Sequence, residues 1–173
     1  CSKITASDAP IIMQMSPFKK PDQLINEKVK RFATVANAAM QRGVDLEPIA
    51  LREFEKETGH IMFPCVGEHE NGWMGASFDG MTLEQDAVCE IKCPGKKDHF
   101  SAMNGIIPDK YKAQLQHQMY VSGVHLLFYY SFDGEKGVII EVKRDEEFIE
   151  IMLEKEKEFW ESLKILIELR NDT

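Results

Sequence analysis

The chain has 173 residues, 43% of them hydrophobic, and a formal net charge of −8. That length and apolar content make one domain, residues 1–173, with a real core. The acidic balance excludes a chain that grips polyanions through its overall charge, and no apolar run nears the roughly 20 residues of a membrane span, so with no signal peptide a cytoplasmic protein without membrane contact is expected.

In chain order, Ser7 is placed to cap a short helix, with Asp8 in its first turn and Pro10 tolerated near the start. Ser16 to Pro21 reads as a loop. A second helix begins near Asp22, and a third runs from about Thr34 to Thr58, weakened by Gly43 and ended by Gly59. Glu47 lies on that third helix, whose buried side is Leu46, Ile49, Ala50 and Phe54. Strands follow at roughly Ile61 to Val66, Gly72 to Phe78 and Ala87 to Cys93, and residues 94–108 read as a loop that could move. Tyr111 to Ser122 is a helix with Gln114 and Gln118 on one face. Leu126 to Phe132 and Val138 to Val142 form a hairpin about Asp133-Gly134. A last helix from Asp145 presents Phe148, Met152, Phe159, Leu163 and Leu166 as an apolar stripe, for core or a subunit contact. Helices, strands and helices again make an α/β fold.

The residues with chemical content are Asp79 in Gly-Ala-Ser-Phe-Asp-Gly and Glu90 and Lys92 in Cys-Glu-Ile-Lys-Cys. Two antiparallel strands turning between Glu84 and Gln85 set Asp79 opposite Glu90, where Cβ atoms lie about 5 Å apart. Strand alternation then turns Glu90 and Lys92 to one face and Cys89, Ile91 and Cys93 to the other. A buried strand seldom carries Glu and Lys without a partner or a metal. A structural ion pair is the plain alternative; the functional one is a site of hard oxygen donors, which suits magnesium.

Charge is unevenly spread. Between Lys92 and Lys112 five lysines oppose Asp98 and Asp109, a balance of +3, whereas from Asp145 to Asp172 ten acids oppose four bases, a balance of −6. The basic stretch adjoins the candidate site, and bound divalent ions would add to it. Cys1, Cys65, Cys89 and Cys93 lack paired metal-site spacing and read as reduced thiols, while strand alternation argues against their converging on an iron–sulfur cluster. The five histidines show no His-x-x-x-His spacing, which speaks against a zinc hydrolase.

The strings Gly72 to Gly80, Cys89 to Pro94, Pro108-x-x-Tyr111-x-x-Gln114-x-Gln116 and Met119-x-x-x-Gly123 resemble the phage lambda exonuclease and YqaJ-type recombinase group of the PD-(D/E)xK nuclease superfamily. Ile4-Thr5-Ala6-Ser7 and Ser16-Pro17-Phe18 are similar to early segments of such exonucleases, and Phe78 stands where the superfamily name has proline. The resemblance implies a central mixed β-sheet flanked by helices. It also implies one or two Mg²⁺ ions, with Mn²⁺ as a substitute, on Asp79, Glu90, the carbonyl of Ile91 and Glu47, the last matched in Gly43 to Pro48. Lys92 is then the catalytic lysine. Tyr111 and Gln114 match a Tyr-x-x-Gln pair that orients substrate. Ser7 and Ser77 match hydroxyl contacts to a 5′ phosphate, with Lys19 and Lys20 as auxiliary cations.

Relatives carry an arginine before the Thr-Ala-Ser segment, and a chain beginning at Cys1 is expected to lack residues upstream. The implied activity is digestion of one strand of linear double-stranded DNA, 5′ to 3′, in phage-type recombination within a bacterial cell. Implied partners are a single-strand annealing protein and further copies in a trimeric ring. The alternatives are a sequence-specific or CRISPR-associated endonuclease on the same core, and a non-cutting DNA-end-binding module.

Overall fold

The computed structural model describes residues 3–30 and 37–171, the side chain of Asn171 excepted. The start expected for the third helix, at Thr34, lies outside those residues. The elements in order are β1 (Ile4–Thr5), α1 (Ala9–Ile12), α2 (Pro21–Lys30), α3 (Ala38–Thr58), β2 (Phe63–Glu68), β3 (Met74–Met81), β4 (Ala87–Lys92), α4 (Lys96–Met103), α5 (Asp109–Ser122), β5 (Leu126–Phe132), β6 (Gly137–Lys143) and α6 (Glu146–Asn171).

The six strands form one mixed sheet in the order β1-β3-β4-β5-β6, with β2 on the other edge of β3. β4 and β5 run parallel because α4 and α5 carry the chain between them, and β5 and β6 form the expected hairpin. One face of the sheet packs Phe78, Val88, Leu127 and Tyr129 against Leu115 and Met119 of α5. The other packs Cys89, Ile91, Phe128 and Tyr130 against Ala50 and Phe54 of α3. Ile4, Ile12 and Leu24 meet Phe159 and Leu163 of α6 in a third cluster, which ties the N-terminal elements to the last helix.

β3 departs from a regular strand where it matters. Phe63 pairs with Met81 and Cys65 with Phe78, so two steps along β2 span three along β3, a bulge at Asp79 and Gly80. A Cβ at position 80 would lie 2.7 Å from the Cβ of Met62, so glycine is what lets β3 pass under the segment leading into β2. On its opposite edge β3 pairs with β1 only at Met74–Gly75 and with β4 only at Gly80–Met81. Ala76 to Asp79 therefore face a notch between two diverging neighbours.

Several expectations need correction. Residues 94–108 contain α4, whose buried side is His99 and Ala102 while the apolar Phe100 and Met103 point outward, so its periodicity is inverted. Asp8, not Ser7, precedes α1 at the N-cap position; its carboxylate accepts instead from the Thr5 amide (2.8 Å) and pairs with Lys28 (2.7 Å). β2 begins at Phe63, leaving Ile61 exposed. Ile49 on α3 and Leu166 on α6 are both 40% exposed, whereas Ile149 and, unexpectedly, Glu156 lie in the buried face of α6.

Candidate active site

The turn between β3 and β4 has the expected register, Gly80 opposite Cys89 and Met81 opposite Val88. The next pair along would be Asp79 and Glu90, but the ladder opens there. The bulge frees the Asp79 side chain to take the place of a strand carbonyl, and its Oδ2 accepts from the Ile91 amide at 2.7 Å. Alternation along β4 holds as expected, with Cys89 and Ile91 in the α3 core and Glu90 turned to α5.

Glu90 is 3% exposed, yet both of its carboxylate oxygens are satisfied. Its Oε1 accepts from Gln114 at 2.7 Å and from the Lys92 ammonium, and its Oε2 accepts from Gln118 at 2.6 Å. The Gln118 amide also donates to the Ser77 carbonyl at 3.1 Å, which spends both of its N–H bonds on oxygen acceptors. Gln114 and Gln118 are one turn apart on α5, so a single helix face grips both oxygens of the carboxylate. Lys92 in addition sits 5.3 Å above the Tyr111 ring, which it shares with Lys110 at 5.0 Å.

These groups open onto a cavity of about 900 Å³. Asp79, Glu90, Ile91, Lys92, Glu47 and Tyr111 line it, as do Arg42, Cys93, Lys110 and the exposed Phe18 and Met40. Burial and the neighbouring Glu90 charge push the Asp79 carboxyl up to about 7, against the Ile91 hydrogen bond and Lys92. Glu47 is raised for the same two reasons. Burial pulls Lys92 down, but Glu90 and Asp79 outweigh it and hold the ammonium above its usual range. Burial also pushes the Cys93 thiol to about 11, so this wall of the cavity carries a thiol and no thiolate.

Among the described residues no three His, Cys, Asp or Glu side chains are gathered tightly enough to ligate one ion as they stand. Magnesium does not require three, since it keeps several waters and binds through one or two carboxylates. Asp79 and Glu90 flank the Ile91 backbone, the donors are all hard oxygens, and the mutual repulsion that raises Asp79 is a cost a dication would relieve. The residues fit the group.

Of the other expected site residues, Gln114 is present behind Glu90, but Ser7, Ser77, Lys19 and Lys20 do not line the cavity. Ser7 and Ser77 are exposed beside the notch, two residues past the paired Thr5 and Gly75. Lys19 is held by Glu27 at 2.6 Å. Gln118, read from the sequence only as sharing a helix face with Gln114, and Lys110, read only as part of the basic stretch beside the site, were not singled out as site residues, and Arg42 was missed; Arg42 becomes visible only once α3 meets β4.

The profile of the YqaJ-like viral recombinase domain matches residues 1–125. The uncharacterized protein YqaJ of Bacillus subtilis (strain 168) is 29% identical over 165 residues, which are 91% of this chain and 52% of that protein. The chain thus spans about half the length of that curated relative. Among solved structures, the alkaline exonuclease LHK-Exo from Laribacter hongkongensis, in complex with dAMP, superposes with a TM-score of 0.87 at 27% identity, covering 99% of this chain and 92% of that one. A phage-related exonuclease from Haemophilus somnus 129PT shares the fold, with a TM-score of 0.71 at 16% identity over 98% and 96% of the two chains. The mixed sheet flanked by helices is the fold shared with these exonucleases, and the chain belongs to the YqaJ-like viral recombinase family.

Proposed function

We propose that the chain is a single nuclease domain that hydrolyses one strand of linear double-stranded DNA from an end, with Mg²⁺ as cofactor and Mn²⁺ able to replace it. The observation that carries this is the Asp79, Glu90 and Lys92 constellation at the floor of an open cavity. Asp79, Glu90 and the Ile91 carbonyl would hold the ion, and Glu47 would reach a second. A divalent ion so placed polarises the phosphate and lowers the pKa of an attacking water.

The chain's own residues do the rest. Gln114 and Gln118 fix Glu90 so that its oxygens do not wander when the ion exchanges. The Lys92 ammonium, set over Tyr111, positions the water or neutralises charge that develops on the phosphoryl oxygens. Arg42, bonded to the Pro94 and Asp133 carbonyls, and Lys110, paired with Asp98 at 2.5 Å, are the further cations lining the cavity, and they would meet flanking phosphates on a chain whose net charge is −8.

The 5′-to-3′ direction rests on the resemblance to the exonuclease family: Ser7 and Ser77, exposed beside the notch between β1 and β4, would contact a terminal 5′ phosphate, with Lys19 and Lys20 as auxiliary cations. The strand so removed is what phage-type recombination in a bacterial cell discards, and an annealing protein and a trimeric ring of this chain are the fitting partners. The test uses linear duplex labelled at either 5′ or 3′ ends, with closed circular duplex as control. Mononucleotide release from 5′ ends and no loss of circles is expected; cutting of circles would indicate an endonuclease, and binding without cutting an end-binding module.

A further inference from the structure

α5 carries a second polar pair that catalysis does not use. His117 and Glu156 are both fully buried, with Nδ1 of the histidine 2.8 Å from Oε1 of the glutamate on α6. The other ring nitrogen, Nε2, donates to the Gly75 carbonyl of β3 at 3.0 Å. A buried ion pair is a poor way to add stability, because apolar residues of the same volume do as well. What it adds is direction. Ala113, Leu115 and Met119 would tolerate a small slide or roll of α5, whereas His117 would lose two partners at once.

The neighbour of His117 is Gln118, which holds Glu90 and the Ser77 carbonyl, and one turn earlier lies Gln114, which holds the other Glu90 oxygen. β3 is thus bonded twice by consecutive residues of α5, at Gly75 and Ser77. We infer that the His117–Glu156 pair is a positioning device that sets the roll and height of α5 and thereby aims Glu90; both are positioning residues, not catalytic ones. The inference rests on the nuclease reading for its effect on metal binding, but not for its effect on α5.

Since Nε2 carries a proton for Gly75, one further proton is shared between Nδ1 and Oε1. Glu156→Gln keeps a donor toward Nδ1, and Glu156→Leu removes it. Two readouts apply to both variants: protection of the Gln114 and Gln118 side-chain amides by NMR, and Mn²⁺ binding by calorimetry without DNA. In Glu156→Leu the amides lose protection while backbone amides of β4 and β5 keep theirs, and Mn²⁺ affinity falls about tenfold, as for a missing outer-shell partner. Glu156→Gln retains both.

Unchanged amides and Mn²⁺ affinity in Glu156→Leu would overturn the inference, as would equal loss in Glu156→Gln. If wild type binds no Mn²⁺ while the amide effect is seen, the nuclease reading falls and the positioning of α5 stands. Should Glu156→Leu not fold, His117→Gln serves in its place with the same expected loss.

Discussion

At the scale of single residues, the site is a negotiation over Glu90. Three donors satisfy its two oxygens in a space where an unpaired carboxylate would cost several kcal/mol. Glu90 and Lys92 were legible in the sequence because strand alternation is rigid, and the same rule put Cys89 and Ile91 in the core. Gln118 was legible only as a neighbour of Gln114 on one helix face; that this face meets Glu90 depends on packing at long range. Replacing Gln118 by leucine leaves one Glu90 oxygen unpaired, and a loss of about 10- to 100-fold in metal affinity or activity is expected, measurable by Mg²⁺ titration of the digestion rate. Arg42→Ala and Lys110→Ala act on substrate instead. Each should raise the KM for DNA more than it lowers kcat, and flatten the salt dependence of binding by about 0.9 in slope for each phosphate no longer neutralised.

At the scale of elements, the bulge in β3 is what converts a hairpin into a site. Regular pairing would place Asp79 across from Glu90 as an ordinary cross-strand neighbour; the extra residue lets it bond the Ile91 amide and opens the notch. The sequence spacing located this turn and its register, but a bulge leaves no period to read, and Gly80 was its only sign. Gly80→Ala forces a Cβ to within 2.7 Å of Met62 and should cost about 1–3 kcal/mol, read by urea unfolding. α4 escaped sequence reasoning for the opposite reason. Its exposed Phe100 and Met103 contradict the amphipathic rule, while the structure anchors it by His99, bonded to Ser131 at 2.9 Å.

At the scale of the molecule, the order of helices and strands apart from β1 and α4 was legible and the burial of a charge pair was not. Glu156 is one of ten acids between Asp145 and Asp172, yet it is fully buried against His117, with Asp8 the other carboxylate acting on it. Burial raises its carboxyl above the usual range, and the His117 hydrogen bond only partly offsets this. A raised carboxyl contributes stability that is complete below its unfolded value and is lost as pH rises through the folded one. Against Glu156→Gln, wild type should therefore lose ground in unfolding free energy as pH climbs above the ordinary carboxylate range, read by urea unfolding at a series of pH values. Removing His117 alone strands the carboxylate and should cost about 3–5 kcal/mol, measured in the same experiment.

The function of the whole molecule turns on whether three side chains and a divalent ion cut DNA together. The direct measurement is the rate of nucleotide release from 5′-phosphorylated linear duplex, with Mg²⁺ and with a chelator, for wild type, Asp79→Ala and Lys92→Ala. Wild type should release nucleotides only with the ion, Asp79→Ala should release none detectably, and Lys92→Ala should be at least about 100-fold slower with duplex binding retained. Release that survives the chelator, or that either substitution leaves at the wild-type rate, would contradict a metal-dependent site built on these residues.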